Sequence, residues 1–506
     1  MSAPATSWVV DLRPGEWHTQ VAGRVATGDR FAGLYSTRRQ DAAQLHALLV
    51  GDGAVSCLRT LLTPDADGSL SYRSLTPQVP AAFWYERAMH DLSGVLPVGH
   101  PRLDPLLLAR QPGHPSPRPG YAAAETLEKR RHSRATERHG PVDVTGGGVF
   151  TLPLGPVRSG VVESIEFLIE TPGEDIPHLN IRPHYKHRGV AKRFETLPVA
   201  DGILIAERVE GVASVAHALA FTHAVETLGQ VTPPRRAGLI RVIHAELERI
   251  ANHLDVAMRL CDAAGLAVPF SRFGWHKESV LRLISRLCGN RFGRSVVCVG
   301  GVRAEPTLSP AVLCGQLAAI VQRIRADREA LMVDASFLDR LRGTGRLDPS
   351  LAASHGALGP VGRAAGLADD ARRRPYDGYT ELPTVAGTTV DGGGDVLARL
   401  RVRWAEIETS VELIEAACDR LKTLSDPAIA TRVPVSDGFA LGWAEAPQGE
   451  VLYALEIRDG VIGRCFARTA SFHNMLLFHD VFASDVFTDF PFIEASFGLC
   501  YAGVAM

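Results

Sequence analysis

The residues best suited to chemistry sit in RVEGVASVAH, Arg208–His217. Glu210 is a carboxylic acid set among Val209, Val212, Ala213 and Val215. Such neighbours predict poor solvation. Desolvation penalises the charged form of a carboxyl group, so Glu210 is expected to keep its proton to higher pH than a surface glutamate does. A carboxyl group poised near neutrality can deliver or accept protons during a reaction. The opposing reading pairs Glu210 with Arg188 or Arg208, which would lower its pKa and leave it a filler of volume. His217, His244 and His253 fall on or beside predicted helices, close to apolar core positions. Their plain reading is burial with a backbone carbonyl as partner.

The eight cysteines are scattered, with no C-x-x-C pair. This spacing implies neither zinc nor an iron–sulfur cluster held by the chain, and free thiols of this kind fit a reducing, cytoplasmic setting. Cys500 alone reads as a small buried hydrophobe. The formal net charge is −2, so nothing points to nucleic acid. No apolar run approaches the roughly 18 residues needed to span a bilayer. The N-terminal MSAPATSWVVDLRPGEW has no charged-then-apolar signal pattern.

Several elements must position these residues. Ile165, Phe167 and Ile169 alternate with Glu166 and Glu170, which predicts a half-buried strand over 161–170 with the glutamates outward. Thr232 followed by Pro233 predicts a helix start. Beyond it Leu239, Ile243, Leu247, Ile250 and Leu254 share one helical face. Trp404, Ile407, Val411, Ile414, Cys418 and Leu421 recur at alternating three and four, the seam of a packed antiparallel helix. Further strands are expected near 451–466. Residues 110–149, with GHPSPRPG, EKRRHSR and GGG, read as a connector. The expected fold class is α+β: a small N-terminal α/β domain (1–109), the linker, and a mainly helical large domain (150–506) with a small antiparallel sheet.

The order of motifs resembles a known family. YKHRG (Tyr185–Gly189), Lys192, Glu195, RVEGVASVAH, HAVETLG (His223–Gly229) and ELERIANHL (Glu246–Leu254) follow one another as in the large subunit of membrane-bound nickel–iron hydrogenases. The same order marks its relative, the quinone-site large subunit of respiratory complex I. GGVR (Gly300–Arg303), GPVGRAAGLADDARRRPYDGY (Gly359–Tyr379) and EAPQGE (Glu445–Glu450) carry the resemblance from about residue 150 to the end. FWYERAMHDLSGVLPVGHP (Phe83–Pro101) resembles the small hydrophilic complex I subunit that docks beside the large one. Fusion of the two is the arrangement of formate hydrogenlyase large subunits. The N-terminal part is then a docking module without chemistry of its own.

The resemblance implies what each site position has become. The hydrogenase pattern Arg-Val-Cys-Gly-x-Cys-x-x-x-His places Glu210 and Ala213 at metal-binding cysteines, and the C-terminal cysteine pair falls on Cys500 and Gly503. Soft thiolates hold such a centre, so no metal bound by this chain is expected. Ala191 stands where hydrogenases carry a proton-transferring glutamate. Complex I relatives have Asp-Tyr at Glu210 and Gly211, and a histidine at Arg158, with the tyrosine and histidine contacting the quinone headgroup. Gly211 has no side chain to offer, and an arginine can hold an oxygen but cannot relay a proton. His187, Arg188, His217 and Arg303 are expected to face the pocket or a neighbouring cluster; the alternative for His187, Arg188 and Arg303 is an ion pair with Glu195 or Glu226.

The ending PFIEASFGLCYAG points within the family to the energy-converting hydrogenase-related offshoot that lacks the nickel cysteines. The implied function is that of a large subunit in a membrane-associated oxidoreductase complex, not a working nickel–iron hydrogenase. Electrons would come from an iron–sulfur small subunit and pass to a quinone-like acceptor. Ion translocation would run through antiporter-like and quinone-channel-like membrane subunits, with this chain peripheral on the inner, cytoplasmic face. The alternative is a non-catalytic scaffold between the electron-input arm and the membrane arm.

Overall fold

The computed structural model describes residues 8–39, 41–108, 144, 146–158, 163–374, 376–385, 393–482 and 484–506. The connector expected over 110–149, with its basic cluster, lies mostly outside the described residues.

The N-terminal module is built on a meander of Arg30–Arg39, Ala42–Gly51 and Ala54–Leu62. Asp52 and Gly53 turn the second hairpin with positive φ, 49° and 72°, a conformation that favours glycine and aspartate. Trp8–Asp11 joins the meander in parallel beside Ala54–Leu62. Helix Pro14–Ala26 lies on the sheet through Trp17 and Val21, and the Trp17 indole donates to Leu58 O at 2.9 Å. Helix Phe83–Ser93 carries the buried Glu86. This carboxylate accepts from the Tyr72, Ser74 and Thr76 hydroxyls and from the Leu75 and Thr76 N–H groups. With its acceptor sites filled, Glu86 is a structural knot.

Phe150–Leu154, Glu166–Thr171 and His178–Arg182 form the antiparallel sheet that opens the large domain. Ile165, Phe167 and Ile169 are buried as the alternation predicts. Glu166 and Glu170 are buried too, contrary to the expectation. Both are partnered: Glu166 by Tyr185 O–H (2.7 Å) and Arg182 (3.2 Å), Glu170 by the Thr151 hydroxyl (2.9 Å). The alternation identified the strand but not that its second face would be covered.

The body of the domain is helical, with Ser214–Leu228, Arg235–Ala263, Ala267–Cys288, Pro310–Leu331 and Val396–Thr423 as its long members. Both predicted apolar stripes are buried. The second helix begins at Arg235, behind Pro234, and not at Thr232. Two consecutive prolines explain the shift, because a residue before proline is disfavoured in helical conformation. A second antiparallel sheet, Gly438–Ala446, Gly449–Arg458 and Val461–Arg468, packs on helix Ser214–Leu228. Gly442 permits the contact: a Cβ there would lie 2.2 Å from Ala220 O.

The two modules meet at Glu450, which pairs with Arg30 of the N-terminal sheet (3.0 Å) and with Arg374 and Arg468. Tyr35 stacks on Phe466 at 4.5 Å, and the Tyr85 hydroxyl lies 2.8 Å from His473 Nδ1. Burial alone would raise the Glu450 carboxyl, but the three arginines outweigh it and hold it well below the ordinary range. A depressed carboxylate stabilises fully above its ordinary pKa of 4.5, and that contribution is lost as pH falls below it. Glu450→Gln removes the counter-charge that three buried guanidinium groups share, leaving Arg30 only Asp369 at 2.8 Å. It should cost about 3–5 kcal/mol in urea unfolding. A cost under roughly 1 kcal/mol would mean that the apolar contact alone joins the modules.

Candidate functional site

Two segments far apart in sequence build the site. One is the loop between helix Val199–Ala206 and helix Ser214–Leu228, which carries Glu210 and Ala213. The other is the C-terminal end, where helix Phe490–Phe497 stops at Gly498 (φ 64°) and the chain turns through Cys500 into Tyr501–Val504. Arg188 joins them. Its guanidinium donates to the carbonyls of Arg208 (3.1 Å), Val209 (2.6 Å) and Ala502 (2.6 Å), and its backbone N–H donates to Ala505 O. Thr469 adds a bond from its hydroxyl to Gly503 O at 2.8 Å.

This clamp brings Glu210 against both Cys500 and Gly503. Glu210 is 1% exposed. A Cβ on Gly503 would lie 1.6 Å from Glu210 Oε1. The carboxylate therefore occupies the space that a side chain at 503 would need. Burial pushes the Cys500 thiol up to about 12, with the nearby Glu210 charge adding to the rise. At that value it is a thiol and not a thiolate nucleophile. Neither arginine proposed as a partner for Glu210 reaches it. Arg188 is spent on carbonyls, and Arg208 donates to Leu204 O (2.6 Å) and pairs with Glu207 (3.3 Å).

The partner Glu210 does have is His217, whose Nε2 lies 3.4 Å from Oε2. His217 Nδ1 lies 2.8 Å from the Tyr453 hydroxyl. One tautomer satisfies both contacts: Nε2–H donates to the carboxylate and Nδ1 accepts the phenol proton. Burial holds the Tyr453 phenol well above its ordinary range, so it stays protonated. His217 thus departs from its plain reading, since its partners are side chains and not a backbone carbonyl. Glu210 Oε1 and Ser214 Oγ are buried with no hydrogen-bond partner. Unpartnered buried polar atoms are costly, and their presence marks a place where a ligand or water belongs.

The remaining predicted residues divide. Arg158 lines a cavity of about 310 Å³ together with Cys500 and Val212. It pairs with Glu494, which also accepts the Tyr501 hydroxyl, and it lies over the Phe167 and Phe490 rings. Gly211 is exposed and lines a neighbouring cavity of about 90 Å³. His187 is half-buried; burial lowers its pKa, with Arg188 adding to the effect. Arg303 stands exposed beyond the short hairpin Val297–Val302 and lines neither cavity. The proposed ion pairs with Glu195 and Glu226 do not form. Glu195 pairs with Lys192 and Arg464, and Glu226 with buried Arg241. Sequence reasoning missed Tyr453 and Glu494, which no local spacing announces, and Glu248, which it could have found four residues after His244.

By the motif resemblance, one thiol, Cys500, stands among the four positions assigned to nickel–iron ligands. Among the described residues no group of three or more His, Cys, Asp or Glu side chains is placed to hold a metal ion. The donor set does not fit a four-thiolate metal site.

Comparison with known proteins shows the family. The chain is 30% identical over 450 residues to formate hydrogenlyase subunit 5 of Escherichia coli K12, covering 85% of this chain and 76% of that one. The chain belongs to the superfamily of group 4 hydrogenase and complex I large subunits. Residues 264–435 match the family of the respiratory-chain NADH dehydrogenase 49 Kd subunit, and residues 23–120 that of the 30 Kd subunit. The fused C/D polypeptide of NADH-quinone oxidoreductase from Bdellovibrio bacteriovorus is 31% identical over 353 residues, 68% of this chain and 62% of that one. A chain of the membrane-bound sulfane sulfur reductase, an archaeal respiratory membrane complex, shares the fold at a TM-score of 0.64 and 23% identity, over 72% of this chain and 100% of that chain. No described helix is long and apolar enough to cross a membrane.

The fit between Glu210 and Gly503 can be tested by exchange. Gly503→Ala forces the carboxylate aside and should cost about 1–3 kcal/mol, as overpacked sites do. Glu210→Ala in the same chain should recover most of that loss, a coupling above roughly 1 kcal/mol in a double-mutant cycle. Additive effects would show that the two do not share the space.

Proposed function

We propose that the chain is the large subunit of a membrane-associated oxidoreductase complex that delivers electrons and protons to a quinone-like acceptor. The observation that supports it is Glu210: a carboxylate with one unpartnered oxygen, beside Cys500 and Gly503, at the start of a hydrogen-bond chain through His217 to Tyr453. Its relatives in formate hydrogenlyase and NADH-quinone oxidoreductases support the redox setting. Electrons would arrive from an iron–sulfur subunit docked on this chain, and energy would pass to ion-translocating membrane subunits.

In this reading the large subunit supplies position and protons. Reduction of a quinone consumes a proton for each electron, and a buried acid at the end of the electron path can give it. Glu210 would donate through the unpartnered Oε1. His217 would orient the other oxygen, its ring held by the Tyr453 hydroxyl. Arg158, already paired with Glu494, would fix the charge of the outer cavity without relaying protons. Nickel–iron chemistry is left out of the proposal, because soft ligands are needed and the position is filled by an oxygen donor.

The test uses membranes carrying the assembled complex, dithionite-reduced methyl viologen as donor and decylubiquinone as acceptor. Glu210→Gln preserves shape and removes the acidic proton. Turnover should fall by about 10²-fold, the usual weight of an acid–base group, with the cluster spectra of the complex unchanged. Unchanged turnover would favour the scaffold reading. Elemental analysis of the same complex should find nickel far below one atom per chain; stoichiometric nickel or hydrogen evolution would overturn the assignment.

A further inference from the structure

A stripe of polar side chains leads along helix Arg235–Ala263 to the site. His244, Glu248, Asn252 and Asp255 follow one another at intervals of about one turn, on one helical face. All are buried, at 2%, 9%, 7% and 6% exposure. Polar groups on a buried face are costly unless partnered. Here His244 Nδ1 and Asn252 Oδ1 have no partner. The stripe lines the 90 Å³ cavity, with Gly211 and Val212 on the Glu210 side and Lys277 and Arg291 elsewhere on its wall. A water molecule needs only about 10–15 Å³ of such space, so the cavity has room for several. The larger cavity beside Cys500 shares Val212, Asn252 and Asp255 with it. At the far end Lys277 Nζ donates to Asp255 at 2.6 Å, and the Lys277 side chain is 33% exposed.

Glu248 joins this stripe to the site. Its carboxylate accepts from Val215 N–H (2.8 Å) and Ala216 N–H (3.1 Å), in the first turn of the helix that follows the Glu210 loop. We infer that Glu248 is a proton relay that exchanges protons between Glu210 and water in the cavity leading to Asp255 and Lys277. This rests on the proton-delivery reading of Glu210. The Glu248 carboxyl gives up its proton toward the Glu210 carboxylate through intervening water. It is reprotonated from water on the cavity side, so each transfer leaves Glu248 as it began. The charged and titratable groups around it are Glu210, Arg249, His244, Asp255, Lys277 and Arg291. Burial pushes its carboxyl up to about 8, against the two backbone donors and Arg249, while Glu210 adds to the rise. An acid in that range changes state near neutral pH, as a relay must. A helix cap with no other duty would have no need of the cavity or of the unpartnered groups along it.

The complex with its full-length chain is examined by infrared spectroscopy. A protonated carboxyl band should be present at pH 6, titrate away near pH 8 and be missing in Glu248→Gln, whose amide oxygen still accepts at the helix terminus. In ²H₂O the band should shift within the mixing time. Asn252→Leu, which fills the cavity, should slow that shift by roughly ten-fold or more. The stability of the chain carries the same sign. A raised carboxyl means that the native state binds more protons than the unfolded state between the ordinary 4.5 and about 8, so stability falls as pH rises through that window. Glu248→Gln should flatten that slope. With viologen and decylubiquinone, Glu248→Gln should lower turnover about ten-fold or more at unchanged KM, and Glu248→Asp should restore part of it. A band that is absent at pH 6, or that does not exchange, overturns the relay. So does native turnover in Glu248→Gln while Glu210→Gln is inactive, an outcome that leaves the role of Glu210 standing. Native turnover in Glu210→Gln removes both.

Discussion

The site is held in place by charges that are not part of it. Glu406, at the centre of the helical body, is bonded by Arg363 at 2.7 Å and lies 2.8 Å from His253 Nε2. Glu246 receives Arg249 (3.0 Å), Arg372 (3.2 Å), the Tyr379 hydroxyl (2.5 Å) and the Ser410 hydroxyl (2.6 Å). All of these side chains are buried. An unmatched charge at that depth costs several kcal/mol, so the helices can settle only in the register that matches them. Helix Arg235–Ala263 contributes Glu246, Arg249 and His253, and helix Val396–Thr423 contributes Arg403, Glu406 and Ser410. The network therefore fixes the rotation of the helix whose neighbouring face presents His244, Glu248 and Asn252.

The same network reaches the C-terminus. Arg403 donates to the carbonyls of Ser496 (3.1 Å) and Phe497 (2.9 Å), and Arg399 to Ser496 Oγ (2.9 Å). Burial lowers these guanidinium groups to about 10 and about 9, because carbonyls hold them more weakly than carboxylates would. Gly498 is required beside them, since a Cβ there would meet Arg403 Nη2 at 2.6 Å. Arg403 thus grips the chain before Cys500, and Arg188 grips it after. The thiol and the gap at Gly503 are set from both sides, and the Glu210 loop shares the second clamp.

Much of the fold could be read from spacing. The stripes at Leu239–Leu254 and Trp404–Leu421 depend on helical period alone, and they are buried as expected. Spacing along one segment says nothing about what covers its other side. Alternation therefore points Glu166 and Glu170 outward, while their partners, Tyr185 and Thr151, come from neighbouring segments and bury them. The site divides in the same way. Glu210, Cys500 and Gly503 are legible because motif order carries long-range information that a single segment lacks. Tyr453 lies 236 residues from His217 in sequence, and neither residue's neighbours point to the other. Arg188 is expected near the pocket, but its choice of three carbonyls over a carboxylate depends on loop geometry that no motif encodes.

The pocket is marked by the match between Glu210 and Gly503. Gly503 has no side chain, and Glu210 Oε1 stands where one would begin. An apolar group in that space, or no group at all, would be easier to bury than a carboxylate. Glu210 is kept at 1% exposure without an arginine beside it, although Arg188 grips the same loop and is directed elsewhere. The nearest side-chain partner is a histidine held by a phenol, a weaker restraint than an ion pair with arginine. A second carboxyl, Glu248, stands close enough for the Glu210 charge to add to the rise that burial gives it. Where a metal centre would need soft thiolates, this pocket presents a buried carboxylate with one oxygen left without a partner.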